Sequence, residues 1–345
     1  MTDQIVEKDT FNQVGRTNQG IFGLPHNLES AEVVVVPVPW DVTTSGNEGT
    51  SQGPVSIVHA SPQLDLYHPN FYDVCQAGIA MAPIDEKIIH LNETARKSAK
   101  TVIKAQELGE NRSPAIETHI AAVNQASQTL NQVVHNEIEQ WVAQDKLVIA
   151  LGGEHSISWP YIHFIAERCD QFGVLQIDAH MDLRAAYCGF EYSHASVMNH
   201  VSQLSSVSRL VQVGVRDYCE QEVTISRQHK GKVKTFFERD INDYLFTGKT
   251  WEFVCKKIIN ALPERVYISI DIDGLLPALC PHTGTPVPGG LSYQQVSYLL
   301  EKLALSNKKI IGCDLVEVGN HPWDANVGSR LLYQLCGWFW FSAGS

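Results

Sequence analysis

The segment 174–182, with the sequence VLQIDAHMD, combines the two features that decide the fold of this chain. Its first four residues form a nearly continuous apolar run, which is typical of a strand buried on both faces of a parallel sheet. Its last five residues place two carboxylates and an imidazole directly after that strand. Because ligands of open α/β sheets bind beyond the carboxyl ends of the strands, the same segment predicts a fold class and the place of a functional site.

Similar runs and helical segments alternate along the chain. The further apolar runs lie at 33–38, 147–151, 210–213, 266–270 and 309–313. Segments with helical periodicity lie at 115–144, 157–168, 250–261, 292–305 and 325–336, and the polar stretch 91–130 is predicted to be helical and peripheral. This alternation predicts an α/β fold, a three-layer αβα sandwich on a mainly parallel sheet. We expect a single domain over 31–345, after an N-terminal extension over 1–30.

The composition excludes several classes of protein. Twenty-six basic and 38 acidic residues give a net charge of −12, and no basic run could neutralise a row of phosphates, so a nucleic-acid partner is not expected. The N-terminus lacks the pattern of a secretory signal, and the longest apolar stretch, at 336–341, is too short to cross a membrane. Eight cysteines without a C-x-x-C pair indicate a reduced, cytoplasmic setting.

Carboxylates and imidazoles follow several of the predicted strands. Alternate residues of an extended segment point to one side, so Asp178, His180 and Asp182 should face one place. Asp271 and Asp273 repeat the D-x-D pattern after another strand. A single D-x-D is as typical of a turn or a helix cap as of a site. Several converging carboxylates, however, repel one another unless a cation neutralises them.

The ligand types indicate which ions such a site would bind. Carboxylates and imidazoles without thiolates suit Mn²⁺ or another hard-to-borderline divalent ion. With His155 in the segment GGEHS at 152–156, six candidate ligands are present, more than one tetrahedral ion uses. Two ions that share bridging carboxylates and a bridging water fit this number better.

Seven short motifs occur along the chain, several of them at the predicted strand ends. They are VPWDVTT at 38–44, GGEHS at 152–156, DAHMD at 178–182, YSHAS at 192–196, SIDIDG at 269–274, TGTPVPGGLS at 283–292 and DLVEV at 314–318. In this order they resemble the motifs of the ureohydrolases, the family of arginase, agmatinase and formimidoylglutamase. The resemblance covers roughly residues 31–341, and the segment YSHAS is similar to the agmatinase form.

The resemblance implies an α/β metalloenzyme with two divalent ions, first of all Mn²⁺, with Ni²⁺, Co²⁺ and Fe²⁺ also compatible. It also implies a homo-oligomer, either a trimer or a hexamer. The first ion would be held by His155, Asp178, Asp182 and Asp271, and the second by His180, Asp178, Asp271 and Asp273, with Asp178 and Asp271 as bridges.

The implied reaction is hydrolysis of a small cationic guanidino compound to urea and an amine, with agmatine and putrescine as the expected pair. His194 matches the histidine that transfers protons, and a histidine is suited to protonating a leaving amine. Glu317 matches the carboxylate that binds the guanidinium, whose planar geometry a carboxylate complements. Glu154 stands beside the ligands without being one, and we expect it to order them.

The substrate stays open at the sequence level, because the chain departs from the family around the expected mouth of the site. The departures at the mouth include His282 and an insertion after Glu317, and a longer segment at 75–130 is a further departure elsewhere in the chain. Glu191 is a candidate partner for the distal ammonium of agmatine and His282 is a candidate substrate contact, whereas Arg184 would instead favour a substrate with a carboxylate. The alternatives are guanidinobutyrate, guanidine, arginine and formimidoylglutamate, or a non-catalytic metal-binding member of the family.

Overall fold

The computed structural model describes residues 15–17 and 19–344. Its centre is one eight-stranded sheet, and every pair of neighbouring strands is parallel. The predicted α/β class and parallel sheet are therefore confirmed. The strands run in the order β2-β1-β3-β8-β7-β4-β5-β6. They are β1 (Val33–Val38), β2 (Ile79–Met81), β3 (Leu147–Gly152), β4 (Phe172–Ile177), β5 (Val207–Val215), β6 (Val233–Phe237), β7 (Arg265–Asp271) and β8 (Lys309–Val316).

Helices connect the strands and cover the sheet, as parallel strands require a crossover between them. They are α1 (Gly53–Ala60), α2 (Val74–Ala77), α3 (Glu86–Glu107), α4 (Pro114–Val142), α5 (Ser158–Ala166), α6 (Val197–Gln203), α7 (Glu220–Gln228), α8 (Glu238–Phe246), α9 (Trp251–Ala261), α10 (Tyr293–Ala304) and α11 (Pro322–Ala343). Short 3₁₀ turns lie between several of them.

The two faces of the sheet bury two separate hydrophobic clusters. Along β1, Val33 and Val35 belong to one cluster, and Val34 and Val36 belong to the other. This is the period of two that a strand imposes on its side chains, and it explains why the run at 33–38 is apolar throughout. Helices α9, α10 and α11 cover the first face, and α3, α4 and α5 cover the second, which makes the predicted three layers.

The long segment at 75–130 contains β2, α3 and the first part of α4. The polar stretch 91–130 is helical, as predicted, and forms parts of α3 and α4, which a break at 108–113 separates. Asp85 caps α3 through the amide of Lys87, and Ser113 caps α4 just before Pro114. Both helices bury one apolar stripe against the second face of the sheet, so the segment belongs to the domain core rather than to a linker.

The two ends of the described chain also pack on the core. Ile21, Phe22 and Leu24 are buried in the first cluster, although the predicted extension included them; the boundary at residue 31 stays a prediction, and residues 1–14 lie outside the described residues. The aromatic segment that ends α11 contributes Trp338 and Phe339 to the same cluster. None of the described helices has the combination of length and apolar character that a membrane crossing needs.

Candidate metal centre and active site

Four neighbouring strands deliver the predicted functional residues to one edge of the sheet. The order β3-β8-β7-β4 brings the carboxyl ends of these strands together in the middle of the sheet. His155 follows β3, Glu317 follows β8, Asp271 ends β7 and Asp178 follows β4. The site therefore lies where an open parallel sheet is expected to bind its ligand.

The first group of ligand atoms surrounds the Nδ1 atom of His155. This nitrogen lies 3.0 Å from Asp178 Oδ2, 2.9 Å from Asp182 Oδ2 and 3.4 Å from Asp271 Oδ2. The nitrogen is buried, and it has no hydrogen-bond partner among the described residues. One imidazole nitrogen could donate to a single oxygen at most, so three surrounding carboxylates fit a shared divalent cation better than a hydrogen-bond network.

The second group surrounds the Nδ1 atom of His180, 3.5 Å from Asp178 Oδ1 and 3.1 Å from Asp273 Oδ2. Asp178 thus turns one carboxylate oxygen toward each group, which is the position of a bridging ligand. Asp271 reaches the first group through Oδ2, while its Oδ1 accepts a hydrogen bond from the amide of Asp273. The residues present fit two neighbouring divalent ions, with Asp178 between them.

The local backbone that achieves this convergence differs from the predicted one. Residues 178–182 do not extend β4, and Asp182 has a left-handed backbone with φ of 54°. Asp178 and Asp182 still meet at His155, whereas His180 turns toward Asp273. A non-glycine residue in this conformation is strained, and such strain persists where the surrounding structure holds a functional geometry.

In this centre, either protons or bound metal cations can balance the negative charge of the buried carboxylates. Burial disfavours charge on His180, but the carboxylates of Asp273 and Asp178 outweigh it and raise the pKa of His180 to about 12. Burial and the negative charge of Asp178 raise the pKa of Asp182 to about 7. A divalent ion would stabilise the same carboxylates in place of these protons, so its binding should release protons.

A hydrogen-bond chain that the sequence analysis missed orients His155. Its Nε2 atom lies 2.9 Å from Ser269 Oγ, and that hydroxyl donates to Asp314 Oδ1 at 2.8 Å. Tyr267 donates to the other oxygen of Asp314 at 2.7 Å. Since the serine proton is committed to Asp314, the serine oxygen accepts from Nε2–H, and the lone pair of His155 Nδ1 is left for a metal ion.

A second chain supports Asp178 from within the sheet. Gln176 in β4 donates to Asp178 Oδ2 at 2.7 Å, and Gln212 in β5 donates to Gln176 Oε1 at 2.7 Å. Both glutamines are fully buried, and each lies between two buried apolar residues of its strand. Their polarity inside those runs was the signal in the sequence that could have revealed them.

A pocket of about 160 Å³ opens directly above the two ligand groups. It includes His194, and burial, as the largest cause, lowers the pKa of its imidazole, which is therefore neutral near pH 7. A neutral imidazole in this position can accept a proton and pass it on. The lining residues are Ser45, His180, Asp182, Arg184, Tyr187, His194, Ala195, Asp217, Tyr218, Glu222 and Thr285.

Glu317 is buried at the centre, and only one of its two carboxylate oxygens has a hydrogen-bond partner among the described residues. Oε1 accepts a hydrogen bond from the amide of His155 at 3.0 Å, whereas Oε2 has no partner among the described residues. Glu317 also has a left-handed backbone, with φ of 61°. A Cβ atom at Gly284 would lie 3.0 Å from Oε2, so the glycine keeps the space beside this oxygen open.

The structure does not bring Glu191 or His282 to the pocket wall. Glu191 is exposed and makes its contacts through the backbone, with Asn124 among its partners. The ring of His282 is held by the buried carboxylate of Asp324, with Nδ1 3.1 Å from Oδ1, and it stacks on His321. Loop conformation decided both positions, and the spacing of residues in the sequence carries no information on it.

Two further groups of ligand-type side chains lie outside the pocket lining. One comprises His282, His321 and Asp324, and the other comprises His135, His163 and Glu167 between α4 and α5. In the second group, Glu167 is also paired with Arg168 at 3.1 Å, which places a competing cation beside the carboxylate. Neither group has the shared carboxylate that links the ligand groups of the central site.

The fold and the site together define a class: a three-layer protein built on a parallel sheet, whose carboxyl edge carries a candidate centre for two divalent ions. The chain belongs to the arginase family, whose model matches residues 31–336. It is accordingly a hydrolase of amidino carbon–nitrogen bonds. The predicted family is thereby confirmed.

Individual relatives match the chain almost from end to end. N(1)-aminopropylagmatine ureohydrolase of Thermus thermophilus is 32% identical over 318 residues, which cover 92% of this chain and 93% of that protein. Agmatinase of Pyrococcus horikoshii is 29% identical, over 90% of this chain and 93% of its own. The solved structure of an agmatine ureohydrolase of Thermoplasma volcanium has a TM-score of 0.71 at 24% identity and covers 94% of this chain and 95% of its own, which shows the shared fold.

Removal of divalent ions is expected to lower the thermal stability of the protein, because the buried carboxylates then repel one another. At a hundredfold excess of free ion over Kd, each bound ion adds about 2.7 kcal/mol, so two ions should raise Tm by about 7 °C. Calorimetry of chelator-treated protein with and without Mn²⁺ measures this. His180→Ala should lose about half of the increase in Tm that Mn²⁺ produces, and His282→Ala should lose none of it. Loss of this increase in His282→Ala would place the ions at the group of His282, His321 and Asp324 instead of the central site.

Proposed function

We propose that the chain hydrolyses the guanidinium group of a linear cationic amine, agmatine in the first place, to urea and an amine. The observation that carries the proposal is the pocket with an acidic wall directly above the two ligand groups. The agmatinase and aminopropylagmatine ureohydrolase names of the relatives support it. The corresponding product of agmatine is putrescine, which would give the protein a role in polyamine metabolism.

We propose the ligand sets that the sequence analysis gave, with Asp178 and Asp271 shared. Two bound divalent ions, Mn²⁺ first, would lower the pKa of a water molecule between them enough to form a nucleophile near neutral pH. The geometry around His155 and His180 supports Asp178 as the shared ligand and Asp271 as a ligand of the first set, while its sharing with the second set rests on the family resemblance. Ni²⁺, Co²⁺ and Fe²⁺ suit the same ligand types. All six ligands are present, which disfavours a non-catalytic member of the family.

The protein's own residues would bind the substrate and move a proton. The free Oε2 atom of Glu317 can accept N–H groups of the planar guanidinium, and so orient its carbon for attack. As water adds to that carbon, neutral His194 takes up a proton. It then delivers the proton to the nitrogen of the amine, which leaves as the carbon–nitrogen bond breaks.

The charges of the pocket wall favour a substrate with a second cation. Asp217 and Glu222 line the wall, and Arg184 is the only lysine or arginine among its described lining residues. Arg184 lies 3.9 Å from Glu222, which already balances its charge. The α-carboxylate of arginine would therefore lie near acids without a free cationic partner, whereas the ammonium of agmatine would be stabilised.

A longer substrate, aminopropylagmatine, is the second candidate. The side chain of Asp217 is 69% exposed, while that of Glu222 is 4% exposed, so acidic groups extend from the buried wall to the open side of the pocket. A second ammonium, one aminopropyl unit further out, could reach Asp217. The Thermus relative, named for that substrate, supports this candidate.

Competition kinetics with purified protein and Mn²⁺ test the substrate assignment. We expect kcat/KM for agmatine or aminopropylagmatine to exceed that for arginine by about a hundredfold, since like-charge contacts cost several kcal/mol. Guanidinobutyrate, guanidine and formimidoylglutamate complete the panel. The highest kcat/KM for one of these would overturn the agmatine assignment and leave the metal chemistry standing.

A pair of variants separates the two amine substrates. Asp217→Asn should lower kcat/KM for aminopropylagmatine about tenfold more than for agmatine, because it removes the outer charge. Glu220→Gln is the matched control, since this exposed acid lies three residues further along and does not line the pocket. An equal effect of Asp217→Asn on both substrates would argue against a long substrate.

We further propose a cytoplasmic homo-oligomer, a trimer or a hexamer, without nucleic-acid or membrane partners. The net charge of −12 and the lack of cysteine pairing in the sequence support this setting. Residues 31–345 would form the catalytic domain after the extension 1–30. Light scattering of the purified protein measures the oligomeric state.

A further inference from the structure

We propose that Glu154 and Thr43 act as positioning residues that hold the ring of His194 in one orientation and one tautomer. The inference deepens the proposed function, because it rests on a proton-transfer role of His194. It starts from two groups outside the ligand sets, both fully buried beside the pocket. A buried carboxylate next to ligand His155 needs hydrogen-bond partners, and two of the three that it has come from Thr43.

Three hydrogen bonds converge on the carboxylate of Glu154. The amide of Thr43 donates to Oε2 at 2.7 Å, and the hydroxyl of Thr43 donates to Oε1 at 2.8 Å. The hydroxyl of Ser156 donates to Oε1 at 2.6 Å. Three donors around two oxygens are typical of an ionised carboxylate, which can only accept hydrogen bonds. Thr43 therefore donates its hydroxyl proton to Glu154.

The hydroxyl oxygen of Thr43 then determines which ring nitrogen of His194 carries the proton. Thr43 Oγ1 lies 3.1 Å from the backbone amide of His194 and 3.0 Å from its Nδ1 atom. Because the only hydroxyl proton is already donated, this oxygen accepts from both groups. Neutral His194 therefore carries its proton on Nδ1, and Nε2 is the ring atom left to take up and deliver the substrate's proton.

Other contacts fix this arrangement in space. Tyr187 packs edge-on against the ring of His194, with 5.4 Å between the ring centres, and its hydroxyl donates to Ser45 Oγ. The backbone amide of Glu154 donates to Trp40 O at 2.7 Å, which ties the loop of Thr43 to the end of β3. Residues 154–155 therefore contain both the metal ligand His155 and Glu154, which anchors the proton-transfer residue His194 through Thr43.

The test is a double-mutant cycle on kcat, with agmatine and Mn²⁺ as the probes. Thr43→Val keeps the shape and removes the hydroxyl, and should lower kcat about 10–100-fold, since a wrong tautomer is costly in acid–base catalysis. KM and the two bound ions per chain should change less than twofold. Thr43→Ser, which keeps the hydroxyl, should stay within threefold of the parent. In the His194→Ala background, Thr43→Val should add less than a twofold loss.

Further variants keep the test decisive if Thr43→Val folds poorly. Glu154→Gln is isosteric, and its amide group facing Thr43 Oγ1 would redirect the hydroxyl proton to His194 Nδ1, so at least a tenfold loss of kcat is expected. Thr44→Val is the matched control, because this buried hydroxyl donates to Asp41 O and does not contact His194. Its kcat should stay within twofold.

Each result decides between the proposals. Equal losses from Thr43→Val in the parent and His194→Ala backgrounds, or a kcat unchanged by Thr43→Val and Glu154→Gln, would overturn the positioning role alone. A parent protein that releases no urea from any guanidino substrate would overturn the proposed function, and the positioning role with it.

Discussion

Replacement of Asp178 by asparagine is expected to remove both metal ions and to lower kcat/KM by at least about a thousandfold. Asp178 presents Oδ1 to the group around His180 and Oδ2 to the group around His155. An amide keeps the volume of the side chain but loses its charge, so each site loses a shared ligand. Loss of a group required for the chemistry costs several powers of ten in rate. Metal analysis of the purified variant, with urea release, measures both effects.

Two comparison variants make the bridging role specific. His155→Ala should weaken the binding of one ion and leave the binding of the other largely unchanged, because His155 belongs to a single ligand group. Asp324→Asn removes a fully buried carboxylate from the group with His282 and should retain two ions. Two ions bound to Asp178→Asn would contradict the bridging assignment, whatever the activity of that variant.

Removal of the His194 imidazole is expected to have the second largest effect. His194→Ala should keep two bound ions and lower kcat about 10²–10⁴-fold, the range for loss of a general acid–base group. Imidazole added to the medium should restore part of the rate, because the pocket beside Tyr187 retains space for it. Steady-state kinetics with and without imidazole, together with metal analysis, measure this.

The matched control for His194 is His200→Ala. His200 stacks on Tyr192, and it does not line the pocket, so its loss should leave kcat within about twofold. Loss of bound metal in His194→Ala would show that His194 is a ligand and would require new roles for the centre.

The strands predicted from the sequence are those in the middle of the sheet. Most residues of each of these strands are buried, because helices cover both faces of the sheet. The two strands that the sequence analysis missed, β2 and β6, are the edge strands of the sheet. β2 has three residues, and β6 contains exposed Lys234, so neither shows the continuous apolar pattern. Apolar runs reveal strands that are both long and buried on two faces; β2 is mostly buried but too short, and β6 is partly exposed.

The candidate ligands were predictable for a related reason. They directly follow buried strands, and a parallel sheet brings such strand ends together whatever the connecting segments do. The supporting residues depend instead on register. Ser269 and Asp314 lie opposite each other on β7 and β8, a pairing that no local pattern reveals. The wall residues Asp217 and Glu222 depend on loop shape, so the sequence analysis chose Glu191 in their place.

Diffraction from crystals soaked in Mn²⁺, recorded at a wavelength where manganese scatters anomalously, tests the central claim most directly. The account predicts two anomalous peaks about 3.5–4 Å apart, with the carboxylate of Asp178 between them. His155 should contact one peak and His180 the other. A single peak, or peaks only at the group with His135 or the group with His282, would contradict a two-ion centre at the carboxyl edge of the sheet.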